Sequence, residues 1–122
     1  MIDLNCDAGL DNKIGNLVLL GLSHKTAPVE TRELLSLSQA QIPAFYERLI
    51  EAGVDEAVYV ATCNRVEIYM TAEDCESAIE TIKKLMEYYT RLPHDAFMSS
   101  IYAKHGTDVV KHLLNVTASL DS

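Results

Sequence analysis

The stretch Glu56-Ala-Val-Tyr-Val-Ala-Thr-Cys-Asn-Arg-Val-Glu-Ile-Tyr-Met70 constrains the fold more than any other part of this 122-residue chain. Val58 and Val60 alternate with Tyr59 and Ala61, and Val66, Ile68 and Met70 alternate with Glu67 and Tyr69. A period of two belongs to a strand with one face buried. Thr62-Cys63-Asn64 leaves room only for a tight polar turn between the two runs, so the segment reads as a β-hairpin.

The remaining elements are placed around it. Val18-Leu19-Leu20-Gly21-Leu22 is a short apolar run, read as a buried strand. Pro28 starts a helical stretch whose apolar positions are Val29, Leu34, Leu35 and Leu37, with Glu30 and Glu33 near its positive end. Ser38 and Gln41 form a capping-box pattern before a second helix carrying Ile42, Phe45, Tyr46, Leu49 and Ile50, which Gly53 ends. Thr71 to Arg91 reads as a long amphipathic helix, closed by Pro93. A weaker strand follows from Met98 to Lys104, and Gly106 and Thr107 open a last helix. The order β-α-α-β-β-α-β-α predicts an α/β fold, an α+β sandwich of ferredoxin-like type. Its mixed or antiparallel sheet of about four strands packs against helices. Residues 1–16 read as a flexible leader, and 17–122 as one domain.

Composition narrows the function. Eighteen acidic against ten basic residues give a net charge of −8, so any nucleic-acid contact must be selective and limited. The apolar run Leu17–Leu22 is far short of the roughly 18 residues that span a bilayer, so no membrane partner is expected. Asp3, Asp7 and Asp11 against the single base Lys13 do not make a signal peptide. Three cysteines with no CxxC pair argue for free thiols in a reducing compartment. The four histidines stand far from them, so no metal site is expected. All five glycines are isolated, so no dinucleotide fingerprint is present.

Cys63 has two readings: a small core hydrophobe after an apolar strand, or a turn-borne nucleophile. Arg65, two residues on, either lowers the thiol pKa and grips an anionic substrate, or is a surface arginine paired with Glu67. Thr62 and Asn64 are compact hydrogen-bonding neighbours. His24 and Lys25 sit in a polar loop that meets the Cys63 turn if the two strands are neighbours. His112, among Val109, Val110, Leu113 and Leu114, reads as a satisfied core histidine. Cys75, beside Glu73, Asp74 and Glu76, is expected to be an unreactive thiol.

Three segments carry a family resemblance: Gly21-Leu-Ser-His-Lys-Thr-Ala-Pro-Val-Glu30, Ala61-Thr-Cys-Asn-Arg-Val-Glu-Ile-Tyr69 and Val110-Lys-His-Leu-Leu-Asn-Val-Thr-Ala-Ser-Leu-Asp-Ser122. Together they resemble the N-terminal catalytic domain of glutamyl-tRNA reductases, enzymes of tetrapyrrole (porphyrin and haem) biosynthesis. The resemblance runs from about Leu17 to Ser122; Ser119 departs from it, standing where the family commonly has Gly. It implies that the Cys63 thiolate attacks the aminoacyl ester of glutamyl-tRNA(Glu). The thioester is then reduced with NADPH to glutamate-1-semialdehyde. It implies substrate-binding roles for Thr62, Arg65, His112 and Ser122, with Asn64 orienting, and a place near the pocket for His24 and Lys25. It further implies a cytoplasmic enzyme, homodimeric through a C-terminal domain. That domain and the NADPH-binding one are expected to be absent here, so this chain should not complete the reduction alone. The competing expectation is a non-enzymatic α/β interaction module with a structural Cys63.

Overall fold

The computed structural model describes residues 16–96 and 98–118. Strand β1 (Leu17–Ser23) is followed by helices α1 (Val29–Leu34) and α2 (Ile42–Glu51). The hairpin β2 (Val54–Ala61) and β3 (Arg65–Ala72) leads into α3 (Cys75–Thr90). Two short 3-10 turns (His94–Ala96 and Met98–Ser100), β4 (Tyr102–His105) and α4 (Thr107–Thr117) complete the order. The strands form one antiparallel sheet in the order β2-β3-β1-β4, the ferredoxin-like arrangement expected from the element sequence.

Strand alternation divides the sheet into two faces. Val18, Leu20 and Leu22 of β1 and Val66, Ile68, Met70 and Ala72 of β3 join Phe45 and Leu49 of α2 and Ile79, Ile82 and Met86 of α3 in the main core. The opposite face carries Leu19 and Gly21 of β1 and Arg65, Glu67 and Tyr69 of β3, all but Tyr69 buried. Val109 and His112 are the buried residues of α4, the helix that packs on β1 and β4. With both faces covered, β1 is apolar throughout, which is why it reads as a continuous run in the sequence.

Several element bounds differ from the expectations. Thr71 and Ala72 extend β3, pairing with Leu17 and Val54, and α3 begins only at Cys75. Asp74 sets that start: its carboxylate accepts the Ser77 N–H at 3.1 Å, an N-cap that the apolar spacing alone does not reveal. The last strand begins at Tyr102 because Met98–Ser100 forms a 3-10 turn. The capping pattern of α2 is half realised. The Gln41 side chain accepts the Ser38 N–H at 2.8 Å, while the Ser38 hydroxyl caps nothing.

β2 is a sheet edge, whose outward N–H groups need partners. Tyr46 of α2 supplies one, its hydroxyl accepting the Tyr59 N–H at 2.9 Å. The Tyr59 hydroxyl in turn accepts the Leu37 N–H at 2.8 Å and donates to the Leu35 carbonyl at 2.9 Å, pinning the α1–α2 link to the sheet. Burial pushes the Tyr59 phenol pKa up, so it stays protonated as the donor role requires. Tyr59→Phe should therefore cost about 1–2 kcal/mol, read as a lower urea midpoint with unchanged slope.

Candidate active site

The turn that carries Cys63 is rigid. Thr62 donates its N–H to the Arg65 carbonyl at 2.8 Å, and its hydroxyl oxygen accepts the N–H groups of Asn64 and Arg65 at 3.2 Å each. Cys63 therefore sits at the tip of a hairpin whose closure Thr62 enforces. The link after β1 is held in the same way. The Ser23 carbonyl accepts from the Thr26 and Ala27 N–H groups, and the His24 N–H donates to the Asn64 carbonyl at 2.7 Å. The expectation that the His24-Lys25 loop meets the Cys63 turn is met by that last bond, made possible because β1 and β3 are neighbours. The His24 and Lys25 side chains are exposed.

Cys63 is a free, exposed cysteine, so its reading as a core hydrophobe fails. It lines an open cleft of about 230 Å³ with Thr62, Val66 and, from α1 and its end, Val29, Arg32, Glu33 and Ser36. Arg32 was not singled out in the sequence. It donates one N–H to the Ala27 carbonyl at 2.7 Å and another to the Cys63 carbonyl at 3.3 Å, tying α1 to the turn. No local pattern marks it, because the contact spans two loops.

Arg65 is not the surface arginine of its bland reading. Its pairing with Glu67 exists, at 3.3 Å, but both side chains are buried, at 5% and 1% exposure. Glu67 is the hub of a polar cluster beneath the sheet. Besides Arg65, the Tyr69 hydroxyl donates to its Oε1 at 2.8 Å, and the Tyr102 hydroxyl and His112 Nε2 converge on its Oε2 at 2.5 Å. His112 is buried on α4 and satisfied by the Glu67 carboxylate. Glu67, Tyr69 and Tyr102 were missed as site residues. The available signal was the placement of Arg65, Glu67 and Tyr69 on one strand face, opposite the apolar Val66, Ile68 and Met70.

Gly21 makes the hub possible. It pairs with Glu67 on one side and Tyr102 on the other. A Cβ there would lie 2.9 Å from Glu67 Cγ, 3.0 Å from the Val66 carbonyl oxygen and 3.1 Å from Tyr102 Cε1. The missing side chain is the space in which Glu67 and Tyr102 meet.

Burial by itself would raise the Glu67 carboxyl pKa. Hydrogen bonds from Tyr102, His112 and Tyr69, with the charge of His112, outweigh it and hold the group below its ordinary 4.5. The phenols of Tyr69 and Tyr102 are pushed up, by burial first and by the Glu67 carboxylate second. A carboxyl depressed by folding stabilises the fold above its unfolded pKa, and that stabilisation fades as pH falls through the folded value. Unfolding in urea between about pH 6 and about pH 3 should show the wild type losing more stability than Glu67→Gln, whose side chain does not titrate.

Of the expected site residues, Thr62, Cys63, Asn64, His24 and Lys25 come together at one loop cluster, and Arg65 and His112 at the Glu67 hub below. Ser122 lies outside the described residues. Cys75 is buried in the first turn of α3 and disulfide-bonded, so it is not the free thiol that the cysteine count led one to expect. Among the described residues no group of three or more His, Cys, Asp or Glu side chains is placed to hold a metal ion, and no helix is long and apolar enough to cross a membrane.

Comparison with known proteins adds an independent line. Residues 20–122 match the family described as glutamyl-tRNAGlu reductase, N-terminal domain. A glutamyl-tRNA reductase of Trichlorobacter lovleyi is 40% identical over 108 residues, 88% of this chain and 25% of the relative. One from Solibacter usitatus is 40% identical over 107 residues, 87% of this chain and 25% of that protein. The structure of glutamyl-tRNA reductase from Methanopyrus kandleri superposes with a TM-score of 0.62 at 29% identity, over 88% of this chain and 23% of that one. The chain thus spans about a quarter of the length of the curated relatives it matches.

Proposed function

Because the chain belongs to the glutamyl-tRNA reductase N-terminal domain family, we propose that it is the domain in which the Cys63 thiolate attacks the aminoacyl ester of glutamyl-tRNA(Glu). The supporting observation is the exposed sulfur on a rigid hairpin tip lining a cleft. In the step itself, the sulfur bonds to the ester carbonyl carbon, the carbon–oxygen bond to the terminal ribose breaks, and the departing oxygen takes a proton. A thioester remains on Cys63. Thr62 closes the turn, Asn64 shapes it, and Arg32 fixes its backbone from α1. The Glu67 hub orients Arg65 and His112, which in this reading recognise the glutamate from the opposite face together with Ser122. In this reading His24 and Lys25 lie near the pocket.

Reduction of the thioester needs a hydride donor, NADPH in this reading of the complete enzyme. The described residues do not fit that cofactor. The link from β1 to α1 is built on Ser23 and Thr26 with no glycine turn, and the sheet is antiparallel. The nicotinamide site and the dimer contacts are therefore assigned to the length of the relatives that this chain does not span. A cytoplasmic setting rests on the substrate, a charged tRNA.

The test is direct. The chain is mixed with glutamyl-tRNA, quenched in acid and digested, and peptide mass spectrometry should find a glutamyl group on the Cys63 peptide. No adduct on any peptide would overturn the reading.

A further inference from the structure

A second concave surface stands apart from both clusters. Between the first turns of α2 and the end of α3 lies a groove of about 350 Å³ walled by Gln41, Ala44, Arg48, Tyr88, Tyr89 and Arg91. Its walls contain no acid, although the chain carries −8 overall. Arg48 lies over the Tyr88 ring, 4.6 Å from guanidinium carbon to centroid. Tyr89 meets that ring edge-on at 5.1 Å and 86°. The Tyr88 side of the groove is thereby fixed, yet Tyr88 remains 58% exposed. Arg91 adds a second guanidinium, held at the rim by the left-handed C-cap of α3 (φ 60°), where its N–H donates to the Glu87 carbonyl at 2.8 Å. Neither arginine pairs with a carboxylate among the described residues.

Connectivity places this groove at the same end of the sheet as Cys63. β1 runs toward Ser23 and the Asn64 turn, α3 rises from the far end at Ala72 and finishes at Thr90, and α2 begins where the α1–α2 link is pinned to Tyr59. Ser36 at the end of α1 walls the cleft and Gln41 at the start of α2 walls the groove. A guanidinium stacked on one face of an exposed tyrosine ring, with a second guanidinium walling the same groove, suits a single-stranded nucleic acid: a base stacks on the ring's other face and adjoining phosphates meet the guanidiniums.

We propose that the Arg48–Tyr88–Arg91 groove binds single-stranded nucleotides of the tRNA whose aminoacylated end reaches Cys63. The proposal rests on the acyl-transfer reading and names how that site holds its RNA. It also reconciles an acidic chain with an RNA substrate, since two arginines and one ring give a local, selective contact instead of a broad basic surface.

The test measures uncharged tRNA affinity by fluorescence anisotropy across salt from about 50 to about 200 mM. Arg48→Ala with Arg91→Ala should weaken binding about tenfold or more and flatten the salt slope by about 1.4, the single-strand value for two phosphates. Tyr88→Leu should weaken it about tenfold, and Tyr88→Phe should restore it. Lys111→Ala on exposed α4 should change nothing. All four side chains are exposed, so urea midpoints should hold. Unchanged affinity in the arginine pair, an equal loss in Lys111→Ala, or displacement of tRNA by polyglutamate as effective as by single-stranded RNA would overturn the groove. A wild type that binds tRNA through the groove but never acquires a glutamyl group would overturn the acyl-transfer reading and leave the groove standing.

Discussion

Cys63→Ser should lower the rate of acyl transfer from glutamyl-tRNA to the chain by about a thousandfold or more, the scale seen when a nucleophile is removed. The reason lies in the sulfur. A thiol is a few per cent ionised at neutral pH and intrinsically very nucleophilic, whereas a serine hydroxyl needs a base to remove its proton. Cys63 is exposed at a turn closed by Thr62 and the backbone, so its replacement leaves the packing intact and stability within about 0.5 kcal/mol of wild type. Quenched-flow acylation followed by mass spectrometry reads the rate, and urea unfolding reads the stability. An adduct that forms on Cys63→Ser at the wild-type rate would remove Cys63 from the mechanism.

Glu67→Ala should be the most destabilising polar substitution in the molecule, at about 3–5 kcal/mol, the cost of removing one partner from a buried ion pair. Four side chains share this carboxylate, and two of them, Arg65 and His112, are themselves buried. Glu67→Gln should cost less, because it keeps the shape and one acceptor while losing the charge. The pair separates folding from function. Should Glu67→Gln fold near wild type yet acylate Cys63 slowly, the hub orients the glutamate-recognising residues. Should both variants match the wild type in urea midpoint, the hub carries no structural weight and the account of the cluster fails.

The hairpin, the two main-core helices, the buried first strand and the turn-borne cysteine were legible because each leaves a local record: a period of two or near four, a Gly, a Pro, a polar triplet. Asp74 shows where such a record runs short. Thr71 and Ala72 fit either element, and the side-chain bond of Asp74 to the Ser77 N–H sets where α3 begins. The resemblance located Arg65 and His112, but nothing local distinguishes a glutamate at a solvated strand position from one beneath a covering helix. Glu67 therefore enters the sequence reading only as the partner in one of the two alternatives for Arg65, whereas in the fold four side chains converge on it.

By itself the sequence determined the element order, the antiparallel hairpin and the position of the one exposed described thiol, since these follow from covalent neighbours and short-range periodicity. The tertiary structure alone decided which face of β3 is polar and buried, that Gly21 is empty so that Glu67 and Tyr102 can touch, that Arg32 reaches the Cys63 carbonyl, and that Arg48 and Arg91 flank one groove. Each of those contacts joins residues on different elements. Their energies depend on burial and on distances that only the packing of helices onto the sheet sets.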